Sequence, residues 1–202
     1  MKQDLNKTAL SLSYITVAYN VIEGVASIMV GIFTGSVALI SFGMDSFIES
    51  LSGSVMIWRF RKHESLTREQ EEKMEQKAIK LVGYSFIILG IYVFYESISK
   101  LYFQEKPMAS LIGIVIAILS ILIMPFLTYL KHHTGKKLNS KSLVADSKQT
   151  FVCTIMSITL LIGLGLNFFY GIWWADPAAG IVISLLLFKE GYQALKERDL
   201  CC

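Results

Sequence analysis

The chain has 202 residues, 53% of them hydrophobic, with a formal net charge of +3 and a mean hydropathy of +0.53. That is too apolar for an ordinary soluble domain and fits a multi-spanning membrane protein, while so small a positive charge gives no reason to expect a nucleic-acid partner. Cys153 lies in an apolar run and Cys201 and Cys202 end the chain, so the cysteines form no disulfide framework.

The opening MKQDLNKTAL carries lysines but no small-residue cleavage site follows the first apolar run, which is therefore expected to persist as a helix. That first span covers 10–33 and is interrupted by Asn20, Glu23 and Gly24. Thr34-Gly35-Ser36 reads as a tight turn, so a second span over 37–58 returns antiparallel. The second span ends in Arg59, Arg61, Lys62 and His63. A highly charged stretch then reaches Lys77 and reads as a loop or a short surface helix. The third span covers 78–99. A short link leads to the fourth, 108–130, where Pro125 is a kink site. Residues 131–141, KHHTGKKLNSK, read as a basic loop. His132 and His133 are flanking polar residues there, and a metal-collecting role is the lesser reading. The fifth span covers 142–170. A turn with Trp173 and Trp174 at interface level leads into the sixth, 175–195, and a polar tail.

Six spans of roughly 20 residues match the bilayer core. Of the 19 Lys and Arg, only Lys100 and Lys106 fall in the links after spans one, three and five. By the positive-inside rule both termini are cytoplasmic. The expected fold is all-α: a single integral membrane bundle of six transmembrane helices, with no soluble domain between the spans.

Asp45 and Glu49 sit within the second span, four residues apart and hence on one helix face. A charged side chain at the bilayer centre costs roughly 2.5 to 3.5 kcal/mol, so two on one face require a cation, protons or a basic group opposite. Carboxylate oxygens suit divalent cations, and each can carry a proton. The face is read as one wall of a cation site, against the plainer reading of protonated acids bonded to Ser and Thr. Glu23 is a third intramembrane acid, either hydrogen-bonded to Asn20 or a neighbouring helix, or part of an ion or proton path. The start of the fifth span offers a second polar cluster. Gln149 and Cys153 share one face, and Asp146 and Thr150 a neighbouring one. Asp146 also reads as a helix N-cap, and Cys153 as a small buried apolar residue. Small residues including Gly31, Gly43, Ser46 and Gly53 favour close helix approach. For Cys201 and Cys202 the main reading is a mobile tail.

Asn20, then Gly35-Ser36, then the acid pair; Ala145-Asp146 followed by Gln149 and Cys153; and Trp174-Ala175-Asp176-Pro177, in this order on six spans, resemble the cation diffusion facilitator (cation efflux) family. The resemblance covers nearly the whole chain. It implies export of Zn, Mn, Fe or related divalent ions from the cytoplasm, commonly against protons. It also implies a tetrahedral site between spans two and five. Carried over by position, the ligands are Asp45, Glu49, Gln149 and Cys153, with Asn20, Glu23, Asp146 and Thr150 as ion- or proton-path residues. This sequence departs from the family pattern: Glu stands for the second Asp, and Gln-x-x-x-Cys for the usual His-x-x-x-Asp. Gln cannot couple protons as His does, so Asp45, Glu49 or Glu23 must carry any that move. A thiolate favours Zn or Cd, whereas Gln with carboxylates suits Mn or Fe. The chain also stops shortly after span six, which implies a short form without the family's C-terminal cytoplasmic domain.

The expected function is therefore proton-coupled, alternating-access export of a divalent cation in a cell (inner) membrane, by a homodimer formed through membrane helices. The alternative is a transport-inactive metal sensor or partner subunit. An integral-membrane redox enzyme ranks last, since no catalytic His or paired-Cys cluster lies in the spans.

Overall fold

The computed structural model describes residues 2–62 and 68–196. Among the described residues there are six helices and no strand: α1 Lys2–Thr34, α2 Val37–Lys62, α3 Arg68–Phe103, α4 Leu111–Leu138, α5 Lys141–Tyr170 and α6 Ala175–Lys196. Five of them, all but α2, are long and apolar enough to cross a membrane. Asp45, Glu49 and the serines dilute the apolar character of α2. They are tolerable there because α2 packs against α1, α3, α5 and α6, so that protein replaces lipid around most of its surface.

The helices associate as an α1–α2 hairpin, an α4–α5 hairpin and an α3–α6 pair, with α1 on α4 and α5 on α6. The core includes Leu39, Phe42, Met124, Met156, Leu160 and Ile183. The outside is apolar as well: Ile22, Ile88, Leu122 and Leu185 are largely exposed. An apolar exterior around a core that is itself largely apolar, with polar side chains kept inside, is what a lipid solvent requires. The chain is a multi-pass membrane protein.

Helix α2 approaches α1 closely. A Cβ on Gly43 would lie 2.9 Å from the Gly24 carbonyl oxygen and 3.0 Å from the Ile28 nitrogen. Only a glycine fits, and the two backbones come together as the small-residue pattern predicts.

The helices run longer than the predicted spans at several ends. The basic stretch 131–141 is not a loop: α4 continues through Leu138, and only Asn139 and Ser140 separate it from α5. Asn139, in the left-handed region (φ 51°), ends α4, and Ser140 caps α5. Asp146 is thus inside α5 and not its N-cap. From Arg68 the charged stretch before span three is the continuous beginning of α3. Residues 63–67, Cys201 and Cys202 lie outside the described residues.

Candidate functional site

The register of α2 is set at its N-terminus. Gly35 turns the chain in the left-handed region (φ 69°), and Lys100 Nζ donates to its carbonyl at 2.6 Å. Ser36 Oγ accepts from the Leu39 N–H at 3.1 Å, an N-cap. The same hydroxyl donates to Asp176 Oδ1, while the Val37 N–H donates to Asp176 Oδ2 at 3.1 Å. A carboxylate at a helix N-terminus also faces the positive end of the helix dipole. The turn between α1 and α2 is thereby tied to α3 and α6.

Two turns further on, Asp45 and Glu49 are both buried. The α5 residues opposite them are Thr150 and Cys153, both buried. The Thr150 hydroxyl donates to Glu49 Oε1 at 2.6 Å, and the Cys153 thiol, a free cysteine, lies beside both carboxyl groups. Glu49 Oε2 has no hydrogen-bond partner although it is buried. An unmade bond to a buried carboxylate oxygen is costly, so this atom marks an acceptor held open.

The cluster continues through α4. Lys131 is fully buried; its ammonium lies 2.9 Å from Asp146 Oδ2, an ion pair without an aligned hydrogen bond. It also donates to Thr150 Oγ1 at 2.9 Å. Ser52 on α2 donates to Asp146 Oδ1 at 3.2 Å. The Thr150 hydroxyl therefore accepts from a lysine and passes its single proton to the nearer acceptor, Glu49. In sequence order a chain of contacts runs from Glu49 and Ser52 on α2, to Lys131 on α4, to Asp146 and Thr150 on α5.

Glu23 is buried between α1 and α2. Tyr19 Oη donates to its Oε1 at 2.9 Å, and Ser46 Oγ to its Oε2 at 3.0 Å. Of the readings for Glu23, bonding to Asn20 is not what is found: Asn20 is fully buried and neither end of its amide has a partner.

The residues expected from sequence thus fall into three groups. Asp45, Glu49, Cys153, Thr150 and Asp146 come together at the α2–α5 interface. Gln149, next to Thr150 along α5, is half-buried, with a buried Nε2 that bonds nothing. Asn20 and Glu23 stand on α1. Among the described residues no three His, Cys, Asp or Glu side chains converge as a ready metal cage. Lys131 and Ser52 were not anticipated. A signal for Lys131 exists, because buried Ala117, Ser120, Met124 and Leu127 recur at helical spacing and Lys131 and Thr134 continue the stripe. Of the two histidines, His132 meets Ser147 Oγ at 3.3 Å and His133 stacks on Tyr129.

Residues 13–198 match the cation efflux transmembrane domain. The chain belongs to the cation efflux family. Within it, the chain is similar to Transmembrane protein 163 of Xenopus laevis, at 24% identity over 96% of this chain and 69% of that protein. It is also similar to a cadmium, cobalt and zinc/H(+)-K(+) antiporter of Bacillus velezensis, at 25% identity over 95% of this chain and 61% of the antiporter. The corresponding antiporter of Bacillus subtilis is 24% identical over 95% of this chain and 62% of its own length. The chain thus spans about three fifths of the two Bacillus relatives.

Proposed function

We propose that this cation efflux protein carries a divalent metal ion out of the cytoplasm, in exchange for protons, by alternating access. The observation that carries the reading is the open acceptor Glu49 Oε2, buried between α2 and α5 beside Asp45 and Cys153. The substrate ion is bound by Asp45, Glu49, Gln149 and Cys153, two residues from each helix. The Bacillus relatives named for cadmium, cobalt and zinc support a divalent substrate, and Cys153 favours the softer of these ions. Zn, Mn and Fe remain the ions to compare.

Charge balance supports the same site. Asp146 is neutralised by Lys131, which leaves Asp45 and Glu49 to neutralise one dication. The loaded site is then near neutral, the condition under which it can move through a low dielectric. Protons replace the metal on Asp45 and Glu49 during return. Asn20 and Glu23 form part of the path on the α1 side.

In this reading α2 is a sixth span, and both termini face the cytoplasm because the basic residues gather at that end of the bundle. The protein resides in a cell (inner) membrane, and two copies pair through membrane helices. The test is metal flux in proteoliposomes with Zn, Mn, Fe, Co and Cd, with and without a pH gradient, beside Asp45→Ala and Glu49→Ala. Saturable flux lost in both variants is expected. Folded, inserted wild-type protein that moves none of these ions overturns the proposal.

A further inference from the structure

Lysine is the least expected residue in the interior of a membrane bundle. Lys131 nevertheless has no exposed surface. Its position is specific: along α2, Ser52 follows Glu49 toward the end carrying Arg59 and Arg61, and along α5, Asp146 precedes Thr150 and Cys153 toward the end carrying the α4–α5 link. The layer of Lys131, Asp146 and Ser52 therefore lies between the Asp45–Glu49 pair and the basic end of the bundle.

The bonds in this layer join three helices. Lys131 Nζ reaches Asp146 Oδ2 and Thr150 Oγ1, each at 2.9 Å. Ser52 reaches Asp146 Oδ1 at 3.2 Å, and Thr150 reaches Glu49 Oε1 at 2.6 Å. Each acceptor is an oxygen, the donor type that hard and borderline divalent cations take. The ammonium thus sits where an ion approaching the pair from the basic end would find its first ligands.

We propose that Lys131 is a tethered cation that closes the approach to the Asp45–Glu49 site from the basic end, and that an incoming dication must exchange with it on Asp146 and Thr150. This rests on the transport reading above. A single positive charge on a flexible four-carbon stem suits the task. It satisfies Asp146 while no metal is present, and it can withdraw as one rotamer change without unwinding a helix. A metal ion at Asp146 and Thr150 repels the ammonium, so binding and opening are the same event.

The test uses Cys153, buried beside the acid pair, as a reporter in the full chain. With Cys201→Ser and Cys202→Ser it is the sole remaining thiol of the three. Proteoliposomes of known sidedness, free of metal, receive a membrane-impermeant methanethiosulfonate at the face bearing the basic residues. Lys131→Met with Asp146→Asn removes both charges together and leaves net charge unchanged. This pair is expected to raise the labelling rate of Cys153 at least about tenfold, as a shift in the open population. Lys131→Gln with Asp146→Asn reads the same quantity if the methionine pair does not fold. Asp176→Ala, which loosens the opposite end of α2, is expected to leave the rate from this face within about twofold.

An unchanged rate in a folded double variant overturns the proposal. So does an equal rise with Asp176→Ala, which would mean general loosening. Because labelling needs no metal, wild-type flux with unchanged labelling removes the closure alone. Faster labelling with no flux of any ion retains the closure and removes the transport reading.

Discussion

The N-terminus and the middle of α2 each bury a carboxylate and use it in opposite ways. At the N-terminus, Asp176 takes the Ser36 hydroxyl on one oxygen and the Val37 N–H on the other. It faces a helix N-terminus with both oxygens bonded, so the group acts as a fastener. In the middle of α2, Glu49 has one oxygen bonded by Thr150 and the other bonded by nothing. Burial of an acid therefore does not by itself mark a functional site in this bundle. The mark is an acceptor left open beside a second acid and a thiol. Asp146 stands between these cases: it is buried and charged, with a lysine supplied by the protein itself.

This contrast is broken or sharpened most strongly at Lys131. Lys131→Met leaves Asp146 buried without its counter-charge and is expected to destabilise the fold by about 3–5 kcal/mol. Thermal unfolding in detergent reads the loss. Adding Asp146→Asn should recover most of it, because the uncompensated charge disappears. A single variant as stable as wild type would mean that the ion pair is incidental.

Glu49→Gln is next. Its side-chain oxygen still accepts from Thr150, so the fold should hold and the melting temperature should not fall. Metal flux is expected to drop at least about 100-fold, equivalent to roughly 2.7 kcal/mol. Flux near that of wild type would move Glu49 into the same class as Asp176. Gln149→Ala, which removes a neutral donor, should lose less.

Asp176→Ala should do the reverse of Glu49→Gln. The Ser36 hydroxyl and Val37 N–H lose their acceptor, which costs about 1–3 kcal/mol in stability. Flux normalised to folded protein should stay within about twofold, since nothing in the cap touches the acid pair. A selective loss of flux at unchanged stability would make the cap part of the transport path.

The smallest change concerns Cys153→Ser. A hydroxyl replaces the soft sulfur with little change in size, so total flux should persist while preference shifts from Cd toward Mn by roughly tenfold, about 1.4 kcal/mol. Competition between the two ions in one flux assay measures it. An unaltered preference would leave Cys153 a packing residue.

Much of the architecture was legible in residue order. The apolar runs, the Thr34-Gly35-Ser36 turn and the turn carrying Trp173 and Trp174 located the elements, because turn chemistry and apolar length are local properties. Asp45 and Glu49, and Asp146, Thr150 and Cys153, stood out as polar residues in apolar surroundings, but the pairing of α2 with α5 was implied only by the resemblance to the cation efflux family. The ends of α4 were not legible. KHHTGKK is basic enough to read as loop, yet Leu127 and Met124 behind it keep the helical stripe going, and α5 supplied the carboxylate that lets a lysine remain inside. Ser46 beside Glu23 was equally invisible, because a hydrogen-bond partner on another helix leaves no trace in spacing along one, whereas Tyr19, four residues before Glu23 on α1, had the right spacing to be legible.

By itself the sequence determined that the chain is helical, that it lives in lipid, and which acids have to be answered for, since hydropathy and turn residues act over a few positions. Only the tertiary structure decided how each acid was answered: Asp176 by a helix N-terminus, Asp146 by Lys131, Glu23 by Tyr19 and Ser46, and Glu49 on one side only. Apart from Tyr19, one helical turn from Glu23, those answers come from other helices whose side chains meet after packing. A buried charge is stabilised or left open by what stands within about 3 Å of it, the reach of a hydrogen bond.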